Sequence, residues 1–162
     1  MAPTTLTVHS TPFTLRRATE TDLDAIVALL SNDPLRRAEM AAGNSDVERY
    51  RTAFRTINAD PAHYLAVVTD EKENIVATMQ LTLLPGLARA AATRLNIEAV
   101  RVDEALRGQG LGSAMIAWAI EHGRHNGATL VQLTSDKARP EAHAFYERLG
   151  FEASHTGFKQ KL

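Results

Sequence analysis

Three closely spaced glycines stand where the pattern of a strand passes into the pattern of a helix. They are Gly108, Gly110 and Gly112, and Arg107 comes directly before them. Glycine permits a tight turn or the close approach of a ligand to the main chain. A helix start also presents N–H groups without partners and partial positive charge. Residues 107–113 therefore form either a turn or a site where main-chain amides and the Arg107 guanidinium bind a diphosphate.

Two other glycine motifs do not account for this segment. The P-loop of nucleotide-binding proteins requires a lysine directly after its last glycine, and no lysine follows these glycines. The dinucleotide fingerprint G-x-G-x-x-G requires a third glycine where Ser113 stands. Too little chain follows the helix for the further strand–helix units of a dinucleotide fold.

A tyrosine and a carboxylate are the first candidates for acid–base chemistry. Tyr146 lies in a segment with i, i+3, i+4, i+7 apolar spacing, and that spacing alone favours a core tyrosine on a helix. Glu98 alternates with Val100 and Val102 along a predicted strand, so the three side chains are expected on one face. A partly buried Glu98 would suit the role of a base near neutral pH. A salt bridge within the strand, or exposure at a sheet edge, is the alternative.

Metal and thiol chemistry find little support. The chain has no cysteine, which excludes disulfides, thiolate metal sites and a cysteine nucleophile. His122 and His125 are three residues apart and could share a metal ion. Without a third ligand nearby, a solvated helix end is the favoured interpretation, and we expect no metal.

Composition indicates a globular domain. The chain has 162 residues, of which 44% are hydrophobic and 23% charged. A formal net charge of -1 argues against nucleic acid or an anionic membrane as a partner. No apolar run approaches the ~20 residues of a membrane span, and the first residues do not resemble a signal peptide. We therefore expect a cytoplasmic protein, with a flexible tail over residues 1–11.

The elements that must position these residues follow from hydrophobic periodicity. They predict the order β-α-α-β-β-β-α-β-α-β-β in an α/β protein with one domain over residues 12–162. The unit 93–135 should be a right-handed crossover between parallel strands. The predicted strands are 12–18, 62–70, 75–85, 93–102, 128–135, 151–155 and 158–162, and the predicted helices are 23–32, 35–42, 47–58, 111–124 and 140–149.

Two motifs together resemble one family. "RGQGLG" at 107–112 is similar to the Q/R-x-x-G-x-G/A motif of the GNAT superfamily of acyl-CoA-dependent N-acyltransferases. "AHAFYERLGF" at 142–151 resembles the second signature of that family, and both motifs occur in the expected order. The resemblance extends over about residues 12 to 162 and implies the GNAT fold, with a mixed, mostly antiparallel sheet of about six to seven strands flanked by helices.

The resemblance also implies an activity and a cosubstrate. A GNAT enzyme transfers an acetyl group from acetyl-CoA to a primary amine by direct attack, without a metal. The pantetheine arm would pair with the main chain of one strand, and the diphosphate with the glycine loop. Arg139 stands where many members carry an asparagine that contacts the pantetheine arm. The implied cosubstrate-binding residues are Val100, Arg101, Val102, Arg107, Gly108, Gln109, Gly110, Leu111, Gly112, Ser113, Arg139 and Tyr146.

The remaining implied roles concern the reacting groups. In the family the tyrosine equivalent to Tyr146 often protonates the leaving thiolate, and a main-chain N–H near Ala99 or Val100 could stabilise the oxyanion. Glu98 or a water molecule would deprotonate the amine, with His143 as a second candidate base.

The acceptor is the least defined part of this prediction. His155 and the pair Arg36-Arg37 lie in regions that often border the acceptor site, although solvation explains them equally well or better. We expect a small-molecule amine. The alternatives are a protein amine as acceptor, a longer acyl chain, and a non-catalytic acyl-CoA-binding sensor. A homodimer paired through the terminal strands is a further expectation.

Overall fold

The computed structural model describes residues 2–33 and 47–160. The chain divides into two compact units, one up to Gln132 and one from Leu133 onward. The strands are β1 (Thr4–Val8), β2 (Thr11–Arg17), β3 (His63–Thr69), β4 (Ile75–Pro85), β5 (Thr93–Val102) and β6 (Ala128–Leu133). The helices of eight residues or more are α1 (Leu23–Ser31), α2 (Val47–Ala59), α3 (Leu111–His125) and α4 (Pro140–Arg148).

The strands form one mixed sheet of six strands whose spatial order follows the sequence from β1 to β6. Neighbours from β1 to β5 pair in antiparallel fashion. Short local turns make this possible. His9 and Ser10 join β1 to β2 with positive φ values of 47° and 71°, as tight hairpin turns require. Between β3 and β4, the Asp70 carboxylate accepts hydrogen bonds from the main-chain N–H groups of Lys72 and Asn74.

Helices cover both faces of this sheet. On one face, Leu65 and Val67 of β3 belong to a buried cluster with Ile26 of α1 and Phe54 of α2. On the other face, α3 packs on β5 and β1. Gly123 lies so close to Leu95 that an added Cβ would come within 3.0 Å of the leucine side chain. This close approach fixes α3 on the sheet and thereby fixes the loop that precedes the helix. No helix among the described residues is long and apolar enough to span a bilayer.

The second unit contains α4 and the residues after it. Pro140 occupies the first turn of α4, a position where a missing N–H does no harm. The helix ends where Gly150 adopts a φ of 88° and the Phe151 N–H donates to the Tyr146 carbonyl at 3.1 Å. Residues 151–160 form neither helix nor strand.

The structure confirms the α/β class and overturns three local predictions. The prediction of a flexible tail over residues 1–11 is wrong, because this segment contains β1. The strand pairs with β2 through the register Thr4↔Leu15 to Val8↔Thr11 and buries Leu6. The predicted strand 151–155 is also wrong. The predicted strand 158–162 is wrong over residues 158–160, the part that the structure describes. Residues 152–160 are all exposed, so no apolar face is buried there to stabilise a strand. The dimer expected through these strands loses its basis. The predicted helix 35–42 lies outside the described residues.

Candidate active site

The glycine loop begins where β5 ends. The Asp103 carboxylate accepts from the Ala105 N–H at 2.9 Å and starts the short helical turn Glu104–Leu106. Gly108 and Gly110 then take φ values of 73° and 95°, a region that favours glycine. Gly110 is the residue from which α3 starts. Residues 107–110 are exposed, so a ligand can reach this main chain.

The first turn of α3 supplies the donors that the sequence predicts. The first intrahelical bond in this turn runs from the Ala114 N–H to the Gly110 carbonyl at 3.1 Å. Helix geometry leaves the preceding N–H groups, those of Leu111, Gly112 and Ser113, without an acceptor within the helix. The positive end of the helix dipole lies at the same place. Amides without a helical acceptor and left-handed glycines therefore fit a bound diphosphate.

Two side chains of the loop are held by its own main chain. The Arg107 guanidinium donates through Nε to the Val102 carbonyl at 3.3 Å. The Gln109 amide donates through Nε2 to the Ala105 carbonyl at 2.7 Å. Both bonds tie the loop to the end of β5 and to the helical turn that follows. Hydrogen bonds within the chain thus hold the loop in a defined shape.

The β1–β2 hairpin borders the loop. A Cβ added to Gly110 would lie 3.3 Å from Cγ1 of Val8 and 3.8 Å from Nε2 of His9. A cavity of about 150 Å³ is bordered by both segments, with Phe13 and Leu111 in its wall. A side chain at residue 110 would therefore press on the hairpin and change the loop indirectly.

β5 contains an extra residue directly before this loop. Glu98 pairs with Gln80 and Arg101 with Thr78, so that Ala99 and Val100 together stand opposite the single residue Met79. Ala99 has a φ of 53°, which is uncommon for a residue other than glycine. This arrangement is a β-bulge, which locally interrupts the ladder and leaves main-chain groups of the strand unpaired.

The bulge corrects the expected position of Glu98. Residues directly opposite each other share a face, so Glu98 and Arg101 lie on one face of the sheet, and Val102, opposite Ala77, lies on the other. The predicted grouping of Glu98 with Val102 is wrong because the extra residue reverses the alternation. Glu98 is exposed, so of the alternatives for this side chain the structure shows exposure and not partial burial. Its place on the strand 93–102 agrees with the prediction.

Arg101 forms a buried ion pair that the sequence did not predict. Its Nη2 donates to Oδ2 of Asp33 at 2.5 Å, and its Nη1 donates to the Val100 carbonyl at 2.7 Å. Asp33 is only 2% exposed and follows the end of α1. One alternative for Glu98 is a salt bridge within the strand. The structure pairs Arg101 with Asp33 instead.

Tyr146 lies in the second unit, half-buried on α4. Its ring contacts Phe145 and Phe151 edge-on, with centroid distances of 5.1 Å and 5.8 Å. Arg139 caps the same helix, and its carbonyl accepts from the His143 N–H at 3.1 Å. These edge-on contacts place the Tyr146 ring between two other aromatic side chains. The structure places Glu98 and the glycine loop in the other unit.

The two tentative acceptor-site histidines have local partners. His143 Nε2 lies 2.8 Å from the Asp136 carbonyl oxygen, an acceptor that requires the Nε2–H tautomer or the imidazolium. His155 Nδ1 lies 2.8 Å from the Ser154 hydroxyl. His155 is exposed and His143 half-buried. Arg36 and Arg37 lie outside the described residues.

His122 is not part of a solvated helix end. It stacks on Trp118 with a centroid distance of 5.0 Å and lies 5.0 Å from the Tyr64 ring. The Arg17 guanidinium lies over the Tyr64 ring, 4.6 Å from its centroid. Burial lowers the pKa of the His122 imidazole, and the Arg17 charge lowers it further. His125, by contrast, is exposed and contacts the Glu121 carbonyl. Within residues 2–33 and 47–160 no group of three metal-ligating side chains occurs.

Two features of this site leave little trace in the sequence. The positive φ of β5 falls on an alanine, Ala99, and not on a glycine that would signal it. Alternation along β5 therefore suggests an unbroken strand. Asp33 stands in Asn32-Asp33-Pro34, a segment typical of a helix end, and its pairing with a residue far along the chain is invisible locally.

Comparison with known proteins identifies the family. Residues 26–151 match the acetyltransferase (GNAT) family. The chain is 32% identical over 149 residues to aminoalkylphosphonate N-acetyltransferase of Salmonella typhimurium, covering 91% of this chain and 90% of that protein. The chain therefore belongs to the GNAT family, and it is an acetyltransferase.

Two further relatives extend the comparison. A crystal structure of a transcriptional regulator from Bacillus halodurans C-125 is 42% identical, with a TM-score of 0.87, and covers 93% of this chain and 99% of that one. Glucosamine 6-phosphate N-acetyltransferase of Trypanosoma brucei brucei is 40% identical over 80 residues, which are 49% of this chain and 52% of that protein. The predicted family and fold are thus confirmed.

Proposed function

We propose that this protein transfers an acetyl group from acetyl-CoA to the primary amine of a small molecule. The observation that carries the proposal is the succession of a bulged β5, an exposed loop with two left-handed glycines and the start of α3. The loop amides would bind the diphosphate, and the main chain of residues 100–102 would bind the pantetheine arm. We infer that β1 to α4 work as one domain, with β1 included.

The chain's own groups would then meet the demands of amide formation. A main-chain N–H at Ala99 or Val100 would donate to the carbonyl oxygen as negative charge develops there. Exposed Glu98 would take the proton of the attacking amine, directly or through water. The Tyr146 hydroxyl would return a proton to the departing sulfur. The nitrogen–carbon bond forms as the carbon–sulfur bond breaks, without an acyl-enzyme.

The relatives suggest which acceptors to test first. One is named for aminoalkylphosphonates and another for glucosamine 6-phosphate. Both acceptors carry a primary amine and a phosphorus oxyanion on a small skeleton. We propose that the acceptor of this chain belongs to the same class of small amines.

The test combines binding with turnover. Thermal unfolding is followed with acetyl-CoA, CoA, ATP and NAD side by side, because a ligand at ~100 times its Kd stabilises the fold by about 2.7 kcal/mol. Release of the free thiol is then measured with acetyl-CoA and a panel of aminoalkylphosphonates, amino sugars, polyamines and a lysine-containing peptide. We expect stabilisation by acetyl-CoA and CoA only, and thiol release with a small amine.

Other outcomes would replace the proposal. Binding of acetyl-CoA without transfer to any amine would favour a non-catalytic acyl-CoA sensor. Transfer to the peptide alone would favour a protein acetyltransferase. Stabilisation by ATP or NAD alone would show that the glycine loop binds a different ligand.

A further inference from the structure

A buried carboxylate, Asp33, lies at the end of α1 and pairs with β5 beside the candidate active site. Asp33 is 2% exposed, and a lone buried charge is strongly destabilising. The Arg101 guanidinium compensates it at 2.5 Å. The pair links the end of α1 to β5 across 68 residues of sequence. Such a pair adds little net stability, because the desolvation cost offsets the attraction between the charges.

That geometry concerns the bulge. The same guanidinium that binds Asp33 donates through Nη1 to the Val100 carbonyl at 2.7 Å. Val100 is one of the two residues that stand opposite Met79, and its neighbour Ala99 has a φ of 53°. An alanine in the left-handed region costs about 1–2 kcal/mol and persists only where surrounding contacts maintain it.

We propose that Asp33 and Arg101 act as a positioning pair that holds the bulge of β5 in the conformation needed for acetyl transfer. Asp33 orients the guanidinium, and the guanidinium fixes the direction of the Val100 carbonyl and so of the peptide planes around it. The inference rests on the proposed function, in which these peptide groups bind the pantetheine arm and the carbonyl oxygen. Arg101 thus acts through the main chain, although the resemblance suggested it as a direct cosubstrate contact.

The fold contains a matched pair for comparison. Arg16 and Asp22 form another buried ion pair, with Nη1 to Oδ2 at 2.6 Å and Nη2 to Oδ1 at 2.9 Å. Asp22 is 6% exposed and precedes α1, at the opposite end of that helix from Asp33. Neither Arg16 nor Asp22 donates to or accepts from the β5 main chain in the bonds described here.

Two double variants test the proposal by replacing both members of an ion pair with apolar side chains. Asp33→Leu/Arg101→Met removes the pair beside the bulge, and Asp22→Leu/Arg16→Met removes the matched pair. Replacement of both ions by apolar side chains is frequently tolerated. The single variant Arg101→Lys keeps the charge but lacks the planar fork that reaches two acceptors at once.

Amide hydrogen exchange measures the bulge directly and does not depend on activity. We expect faster exchange in peptides covering residues 97–102 for Asp33→Leu/Arg101→Met and, to a smaller extent, for Arg101→Lys. The matched double variant should exchange there as the wild type does. Unchanged exchange at 97–102 in Asp33→Leu/Arg101→Met would overturn the proposal, as would an equal increase in the matched variant.

Turnover provides the second measurement. Misplacement of the reacting groups by about 1 Å can lower a rate about 100-fold, so we expect kcat to fall about 10- to 100-fold in Asp33→Leu/Arg101→Met. The matched variant should keep its kcat at temperatures where it is folded. Equal losses of kcat in both variants would reveal a merely structural role. If the wild type transfers acetyl to no amine, the proposed function fails, and the exchange experiment still decides whether the pair holds the bulge.

Discussion

Left-handed glycines control how the chain enters and leaves α3. Gly110 before the helix has a φ of 95°, and Gly127 after it has a φ of 80°. Alanine at either position is strained by about 1–2 kcal/mol. A Cβ at Gly127 would meet nothing within 4 Å, whereas one at Gly110 would meet Val8 at 3.3 Å. The two positions therefore share a backbone requirement but differ in their surroundings.

Gly110→Ala should weaken acetyl-CoA binding, and Gly127→Ala should not. Both substitutions should lower the free energy of unfolding by about 1–2 kcal/mol, but only the first displaces the amides of the loop. Urea denaturation measures the stability and isothermal titration measures the Kd. An unchanged Kd in Gly110→Ala would argue that the loop is only a turn.

Tyr146→Phe should lower kcat about 100-fold while changing acetyl-CoA affinity little. A proton donor at the leaving sulfur acts in the transition state and contributes on the order of 100-fold. Tyr64→Phe is the control, because the Tyr64 hydroxyl is buried and has no hydrogen-bond partner among the described residues. Stopped-flow or steady-state thiol release separates kcat from KM. Equal kcat in Tyr146→Phe and wild type would remove Tyr146 from the acid role.

At the scale of elements, α3 meets β3 through an aromatic cluster formed by Tyr64, Trp118 and His122. His122 Nδ1 is buried and has no hydrogen-bond partner among the described residues. Burial and the nearby Arg17 charge hold the pKa of His122 below its ordinary value of 6.5. The neutral imidazole is therefore the form that fits between the helix and the strand.

A lower pH should reduce the free energy of unfolding through His122, and His122→Gln should make this reduction smaller. Because the folded pKa of His122 is lowered, the unfolded chain binds more protons as the pH falls through about 6.5. The free energy of unfolding should thus fall between pH 7.5 and 5.5 in the wild type, and less steeply in His122→Gln. The exposed His125→Gln is the control. Identical pH slopes in wild type and His122→Gln, measured by urea denaturation, would contradict this assignment.

Patterning predicted most elements because apolar runs and helical periodicity mark the side chains that they bury. The bounds of β4 and β5 agree with the prediction, since both strands place apolar residues in the core. β1 was missed because Thr4–Val8 places only one fully buried side chain, Leu6, on the core. The bulge could not be predicted, because the residue type of Ala99 gives no sign of its positive φ.

The site was predictable to the extent that it depends on glycines and helix starts. The loop before α3 has the exposure and positive φ values that "RGQGLG" indicates. The ion pair of Asp33 and Arg101 was not predictable, since it joins residues that are 68 positions apart in the chain. Glu98 showed the limit of alternation as a guide, because one inserted residue reversed the faces beyond it.

At the scale of the whole molecule, the proposed chemistry needs both compact units. The glycine loop and the bulge belong to the unit up to Gln132, and Tyr146 belongs to the unit from Leu133 onward. A single acetyl-CoA molecule that contacts residues of both units would couple their stabilities.

Acetyl-CoA should therefore slow amide exchange in both units at once. We expect protection in peptides covering 99–113 and in peptides covering 140–149, measured by mass spectrometry with saturating acetyl-CoA. NAD at the same concentration is the control ligand and should protect neither. Protection confined to 99–113 would separate Tyr146 from the cosubstrate.

The bulge of β5 also bears on how chains of this kind are aligned. Deletion of Ala99 would leave a sequence that differs by one gap and keeps every other residue. It would give a regular ladder in which Val100 alone stands opposite Met79, and Arg101 would keep its place opposite Thr78. The side chains beyond the gap would therefore stay on their present faces, and only the main-chain groups that the extra residue leaves unpaired would be lost. A gap at this single position thus changes few side-chain positions and yet removes the main-chain groups to which the proposed function assigns the pantetheine arm.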